Sequence, residues 1–312
     1  MEYRFLGHSG LQVSAVGLGC NTFGRYTDEA GTAAILAKAI EVGINLIDTS
    51  NSYGMGDSET HIGKSLKGGD RKNLLIATKG ASQMGEGPNM KGAGRQHLMA
   101  MLEDSLRRLQ TDYVDLYQVH QPDLNTPTEE TMRALDDMVR QGKVRYVGNS
   151  NYPTWLAAEA MWTSRTQHYV PFISVQPQYN LMDRRIEGDL MVFCQRYGLG
   201  ILPYFPLAGG FLTGKYRRGE PIPEGTRGAM NPGMIARWSN DRNYDILEKL
   251  QKFCADRGRS TADLSIAWLL AKPMVSSVIA GTTRPAQVEA NVKSGEGRLT
   301  PEEVQEVDKI TA

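Results

Sequence analysis

Eight short apolar runs recur along this chain, and the stretches between them carry apolar residues at helical spacing. The runs are Leu18–Cys20, Ile44–Asp48, Leu74–Lys79, Val114–His120, Val144–Gly148, Phe172–Gln176, Gly200–Tyr204 and Ser277–Ala280. Most lack the apolar/polar alternation of a half-exposed strand, so they read as parallel strands covered by helices. The spacing predicts helices over about 28–41, 58–66, 96–109, 128–141, 186–197, 244–256 and 262–271, with others opening after Pro153 and Pro285. Eight strand–helix units fit closure into an α/β fold of the (β/α)8 barrel type better than an open sheet. Ahead of them, Tyr3–Leu6 and Leu11–Val16 flank Gly7-His8-Ser9-Gly10 and read as a β-hairpin plugging the barrel bottom.

At 312 residues the chain has the length of two small domains or one large barrel. No repeat, low-complexity tract or Ser/Pro linker marks a boundary, so residues 1–312 are expected to form one domain. A Gly-, Pro- and Arg-rich excursion over 205–240, after the seventh strand, is longer than ordinary connections. Its glycines suit a lid over a ligand or, equally, a static surface insertion.

Thirty-five basic residues balance 35 acidic ones and no basic stripe occurs, which argues against general nucleic-acid or anionic-membrane binding and for a small-molecule partner. Cys20, Cys194 and Cys254 lie far apart in no metal-ligand or disulfide pattern, pointing to a reducing compartment. The N-terminus has no secretory leader pattern and no run is long enough to span a bilayer, so a cytoplasmic location is expected.

Chemistry concentrates where polar residues end apolar strands. Ile44-Asn-Leu-Ile-Asp48 ends in a carboxylate, Leu74-Leu-Ile-Ala-Thr-Lys79 in an amine and Asp115-Leu-Tyr-Gln-Val-His120 in an imidazole. Strands two, three and four are neighbours in a barrel, so Asp48, Lys79 and His120 should meet at its C-terminal mouth, with Tyr53 five residues beyond Asp48. Singly, these residues read as a helix cap, an exposed lysine, a satisfied core histidine and a core aromatic. Four complementary groups on adjacent strand ends outweigh that reading. They suit proton donation to a carbonyl: Tyr53 is the acid, the Lys79 ammonium lowers its pKa, Asp48 pairs with Lys79, and His120 orients the substrate oxygen.

Gly17-Leu-Gly19-Cys-Asn-Thr22 has Thr22 where a third glycine would complete a dinucleotide fingerprint, so a Rossmann unit is excluded. Gly63-Lys64-Ser65 lacks the earlier glycine of a P-loop, Ser58 standing there, and reads as a helix end. Gly281-Thr-Thr-Arg284-Pro-Ala-Gln287 opens a helix and suits either a phosphate or a capped helix start. A metal- or two-carboxylate barrel hydrolase would need clustered ligands, of which only Asp48 qualifies, and no metal site is expected.

With these segments in view, the chain strongly resembles the aldo-keto reductase superfamily, among bacterial members similar to the potassium-channel β-subunit branch. The resemblance runs through Gly17–Gly24, Ile47–Gly54, Thr78-Lys79, Asp115–His120, Gln176–Asn180, Leu207–Tyr216 and Gln287–Asn291, nearly the whole chain in order. It implies a catalytic tetrad of Asp48, Tyr53, Lys79 and His120 and NADPH-dependent reduction of an aldehyde or ketone, with NADH less favoured. It also implies cofactor contacts from Gly19, Asn21, Thr22 and Asp48. Ser150, Asn151 and Gln176 would hold the carboxamide, and Tyr204 would stack on the nicotinamide. Leu207, Gly209 and Lys215 would line the pyrophosphate, and Arg284, Gln287 and Asn291 would face the adenosine end. The chain departs from the family at Asn149 and Phe205 and in lacking a lysine within Gly281-Thr-Thr, so charge for a 2′-phosphate must come from Arg284, with Lys215 or Arg227. The competing reading is a cofactor-sensing regulatory subunit with slow turnover. Met1 lies two residues from the hairpin, so no appended channel-blocking or anchoring segment is expected, which favours the enzyme. Phe23, Tyr26, Tyr152, Trp155 and Met84 are the apolar candidates for a substrate pocket.

Overall fold

The structure, a computed structural model, describes residues 1–66 and 70–312. An antiparallel hairpin, β1 (Tyr3–Phe5) and β2 (Gln12–Ser14), precedes the barrel strands β3 (Val16–Gly19), β4 (Leu46–Asp48), β5 (Leu75–Gly80), β6 (Val114–Val119), β7 (Val144–Ser150), β8 (Phe172–Gln176), β9 (Gly200–Ile201) and β10 (Val278–Gly281). The eight barrel strands are parallel in the order β10-β3-β4-β5-β6-β7-β8-β9. The ring closes through Ile201 N–H to the Met274 carbonyl (2.7 Å), Ser276 N–H to the Ile201 carbonyl (3.0 Å) and Ile279 N–H to the Pro203 carbonyl (3.0 Å). This is the (β/α)8 barrel expected from the alternation.

Several boundaries differ from the expectation. Val16 belongs to the barrel, not the hairpin: the Ala15 N–H bonds back to the Glu2 carbonyl while its own carbonyl accepts from Val278, so the chain changes sheets at Ala15. β9 ends at Ile201 instead of Tyr204, because Pro203 has no N–H to continue the ladder. β7 runs on to Ser150. The helix expected over 186–197 is split: a turn at Arg185–Glu187 is broken at Gly188 before the helix resumes at Asp189.

The helices that cover the barrel are α1 (Glu29–Glu41), α2 (Asp57–Ser65), α3 (Arg95–Leu109), α4 (Thr128–Arg140), α5 (Thr154–Gln167), α6 (Asp189–Tyr197), α7 (Arg227–Met230), α8 (Pro232–Ala236), α9 (Asp241–Ala255), α10 (Thr261–Ala271), α11 (Pro285–Glu296) and α12 (Pro301–Ile310). Gly63-Lys64-Ser65 forms the last turn of α2. α12, beyond the expected helices, starts at a capping box in which Thr300 and Glu303 satisfy each other's backbone N–H groups. The 205–240 excursion is itself folded, holding a 3-10 segment at Ala208–Thr213 as well as α7 and α8.

Alternation along each strand sorts the barrel interior into layers. Leu46, Ala77, Leu116, Leu202 and Ile279 pack with Leu6 and Val13 of the hairpin, so the hairpin plugs that end. Gly7 at its tip has φ 59°, and a Cβ there would stand 2.4 Å from the Gly198 carbonyl oxygen, so no side chain fits. Two residues further along the same inward register come Asp48, Lys79 and Gln118, and the opposite end of the barrel becomes polar.

Candidate active site

Lys79, fully buried at the end of β5, satisfies all three ammonium donors. Nζ donates to Asp48 Oδ2 (2.7 Å), to the Thr49 carbonyl (2.8 Å) and to Tyr53 Oη (3.3 Å). The other carboxylate oxygen, Asp48 Oδ1, accepts from Gln176 Nε2 (2.7 Å) and Gln118 Nε2 (3.3 Å). Tyr53 reaches this group because the chain after β4 makes a tight 3-10 turn with Gly54 and Met55 both left-handed. The Tyr53 and His120 rings stand edge to face, their centroids 5.8 Å apart. Sequence reasoning places all four residues at one mouth, and the structure brings them together there. Met55, Ala81, Asn151, Phe205 and Ala208, non-glycine residues with φ between 49° and 77°, all lie in loops leaving this end of the barrel, where a strained backbone holds side chains over a site.

The electrostatics differ in one respect from expectation. Lys79 does favour the Tyr53 phenolate, but burial of the phenol outweighs it and the Tyr53 pKa is raised. Burial works against the Lys79 ammonium too, yet Asp48 and Tyr53 together more than offset it and hold Lys79 above the usual lysine range. Burial, with Lys79 adding to it, pushes His120 down to about 3, so its imidazole is neutral.

A second group of residues borders the same mouth. Gly19 ends β3 and Asn21 follows it, Gly281 ends β10, and Arg227 arrives from the long excursion to donate to Asn21 Oδ1 (2.9 Å). A Cβ on Gly281 would lie 3.4 Å from Asn21 Oδ1 and 3.7 Å from Arg227 Nη1, so the glycine leaves a cradle open. Among the described residues the partly buried Arg227 makes no ion pair and its Nε is without a partner, and burial, with Arg25 adding to it, lowers its pKa. A partly buried cation with no carboxylate partner among the described residues, beside a glycine cradle, fits an anionic group such as a cofactor phosphate.

The remaining expected cofactor residues divide. Asn151 donates to Ser150 Oγ (3.0 Å) and accepts from the Tyr204 hydroxyl (2.8 Å), which keeps these three side chains together. Leu207 and Gly209 flank the start of the 3-10 segment, and the exposed Lys215 amine is 3.3 Å from where a Gly210 Cβ would be. Thr22 instead ties its loop to the one after β10 by donating to the Thr282 carbonyl (2.6 Å). Gln287 Oε1 accepts from the Thr283 N–H (2.8 Å), filling the turn before α11. Arg284 is exposed at the N-cap of α11 and makes no side-chain hydrogen bond among the described residues, and Asn291 lies further along that helix. Of the pocket candidates, Phe23 is fully buried in the core and Tyr152 is buried, packing edge-on against Phe172. Trp155 is exposed on α5, and Tyr26 and Met84 are partly exposed on loops. Gln118, Ser50 and Ser82 escaped the sequence reasoning; for Gln118 the signal was a polar residue in inward register between Leu116 and His120.

An eight-stranded barrel whose C-terminal mouth joins a buried Asp–Lys pair to a tyrosine and a histidine defines a class of oxidoreductase. The chain belongs to the aldo/keto reductase family, whose family model matches residues 15–312, and whose members use nicotinamide cofactors. It is 35% identical to "Uncharacterized oxidoreductase YrpG" of Bacillus subtilis (strain 168), over 97% of this chain and 93% of that protein. It is 36% identical to the L-glyceraldehyde 3-phosphate reductase of Escherichia coli (strain K12), over 94% and 87% of the two chains. It is also 36% identical to a probable voltage-gated potassium channel subunit beta of Oryza sativa subsp. japonica, over 99% and 96%. Among the described residues no helix is long and apolar enough to cross a membrane.

Proposed function

We propose that this protein reduces an aldehyde or ketone to an alcohol with NADPH. The observation that carries the reading is the Lys79 ammonium bonded at once to Asp48 and to the Tyr53 hydroxyl. The bound cofactor supplies a hydride to the carbonyl carbon. Tyr53 gives its proton to the carbonyl oxygen, and Lys79 steadies the phenolate left behind. Neutral His120 donates a hydrogen bond to the same oxygen and fixes its place beside Tyr53. Asp48 keeps Lys79 charged and aligned, with Gln118 and Gln176 holding the carboxylate from the other side. Gln176 is thereby shared: its amide nitrogen serves Asp48, and its oxygen is left for the carboxamide beside Ser150 and Asn151. Tyr204 forms the stacking surface for the nicotinamide.

Arg227 is the residue best placed for the 2′-phosphate, ahead of Arg284. Replacing Arg227 by Ala is therefore expected to weaken NADPH binding about 10- to 100-fold and NADH binding far less, read by fluorescence titration of both. Equal losses for the two cofactors would assign Arg227 elsewhere.

The rate of reduction is expected to be flat from about pH 5 to pH 9. The acid must be protonated to act, and the raised Tyr53 pKa puts its loss above that range. His120, pushed down to about 3, adds no step near the ordinary histidine pKa. A pH–rate profile with an inflection near neutrality would contradict this assignment.

The reading is tested by NADPH titration followed by assays over aromatic, aliphatic, dicarbonyl and sugar carbonyls. Glyceraldehyde 3-phosphate is included because one relative is named for it. The relatives named as channel β subunits support a second reading, a slow-turnover subunit that senses the cofactor, which tight binding without reduction of any of these carbonyls would favour.

A further inference from the structure

His120 is flanked by two hydroxyls that the reaction above leaves unused. Ser50 Oγ is 3.0 Å and Ser82 Oγ 3.1 Å from its Nδ1, and they come from different loops, one after β4 and one after β5. Ser82 Oγ has no other hydrogen-bond partner among the described residues, so Nδ1 is the one acceptor among them within reach of its proton. Ser50 is fully buried and is held in turn by Ser52, whose Oγ is 3.0 Å away and whose N–H donates to it at 3.3 Å, while Asn51 Oδ1 at 3.3 Å is a second, longer acceptor for its proton beside Nδ1. The backbone around Ser82 is anchored: its carbonyl lies 3.0 Å from His97 Nε2, and the preceding Ala81 carbonyl accepts from Gly92. Nε2 of His120, by contrast, bonds to nothing among the described residues, while Asn151 Nδ2 holds the His120 carbonyl at 3.1 Å.

A neutral imidazole carries one proton, and the hydrogen bond at one nitrogen decides which nitrogen has it. We infer that Ser50 and Ser82 are positioning residues: both present O–H donors to Nδ1, keep the imidazole proton on Nε2 and aim that N–H at the place of the substrate oxygen. Nδ1 has a single lone pair, so the two hydroxyls share it and either one alone retains most of the effect. The inference rests on the reading of His120 as the group that binds the carbonyl oxygen.

The test compares Ser50→Ala, Ser82→Ala, the double variant and Ser82→Thr in two ways. Protein labelled with 15N-histidine is examined by long-range 1H–15N spectra, which report the protonated nitrogen without any turnover, and kcat and KM are measured with the best carbonyl of the panel. The wild-type ring is expected to show a bare Nδ1 and a protonated Nε2. Each single alanine variant should lose about two- to threefold in kcat and the double variant tenfold or more, with NADPH affinity kept. In the double variant the two nitrogens should become mixed, and Ser82→Thr should restore both spectrum and rate. If the double variant does not fold, the Ser82→Ala and Ser82→Thr pair decides by the same two readouts. A wild-type ring protonated on Nδ1, or a double variant with unchanged spectrum and kcat, overturns the inference. A wild type that reduces no carbonyl would instead sink the reductase reading, and the spectra would still report the tautomer.

Discussion

Replacing Tyr53 by Phe is expected to lower kcat for carbonyl reduction about 10³-fold, with the affinity for NADPH changed no more than about twofold. The change removes one oxygen and keeps the ring that stands edge-on to His120. Lys79 loses its 3.3 Å contact but retains Asp48 at 2.7 Å and the Thr49 carbonyl at 2.8 Å, so its charge is not orphaned. Loss of rate without loss of fold or of cofactor is therefore the mark of a missing acid. A variant that turns over at a tenth of the wild-type rate or better would mean that another group gives the proton.

Lys79→Met has the second large effect, and it strikes stability as well as rate. It leaves the Asp48 carboxylate in the barrel interior with, among the described residues, only the Gln118 and Gln176 amides bonded to it. Removing one partner of a buried ion pair costs about 3–5 kcal/mol, because the survivor keeps its desolvation penalty without the attraction that offset it. Urea denaturation should show that loss, and turnover should fall at least as far as in Tyr53→Phe. The double variant Asp48→Asn/Lys79→Met removes the stranded charge and should regain most of the stability while remaining inactive. If it were no more stable than Lys79→Met, the buried pair would not be the source of the cost.

The barrel and the meeting of Asp48, Lys79 and His120 at its mouth were legible because both follow from alternation. An inward register that is apolar at Leu46, Ala77 and Leu116 and polar two residues later at Asp48, Lys79 and Gln118 announces a plugged bottom and a reactive top. Interactions between loops were not legible. Nothing local says that Arg227 crosses to Asn21, 206 positions away in sequence, or that Arg284 lies exposed at the start of α11. Ser50 and Ser82 look like turn residues until the β4 and β5 loops place them on one imidazole nitrogen. For Tyr53 the effect of Lys79 was legible, because charge proximity is visible in a motif, whereas the burial that outweighs it was not. Pro203 was visible, and weighing its missing N–H would have ended β9 before Tyr204.

The most direct test of the central claim is a single turnover: the wild-type protein loaded with one equivalent of NADPH, mixed with excess carbonyl, and followed by nicotinamide fluorescence while the product is quantified. The account predicts one alcohol formed for each NADPH consumed with at least one carbonyl of the panel, and a decay about 10³ times slower in Tyr53→Phe. Fluorescence that persists in the wild type as long as in the variant, with NADPH tightly bound and no alcohol formed, would contradict it.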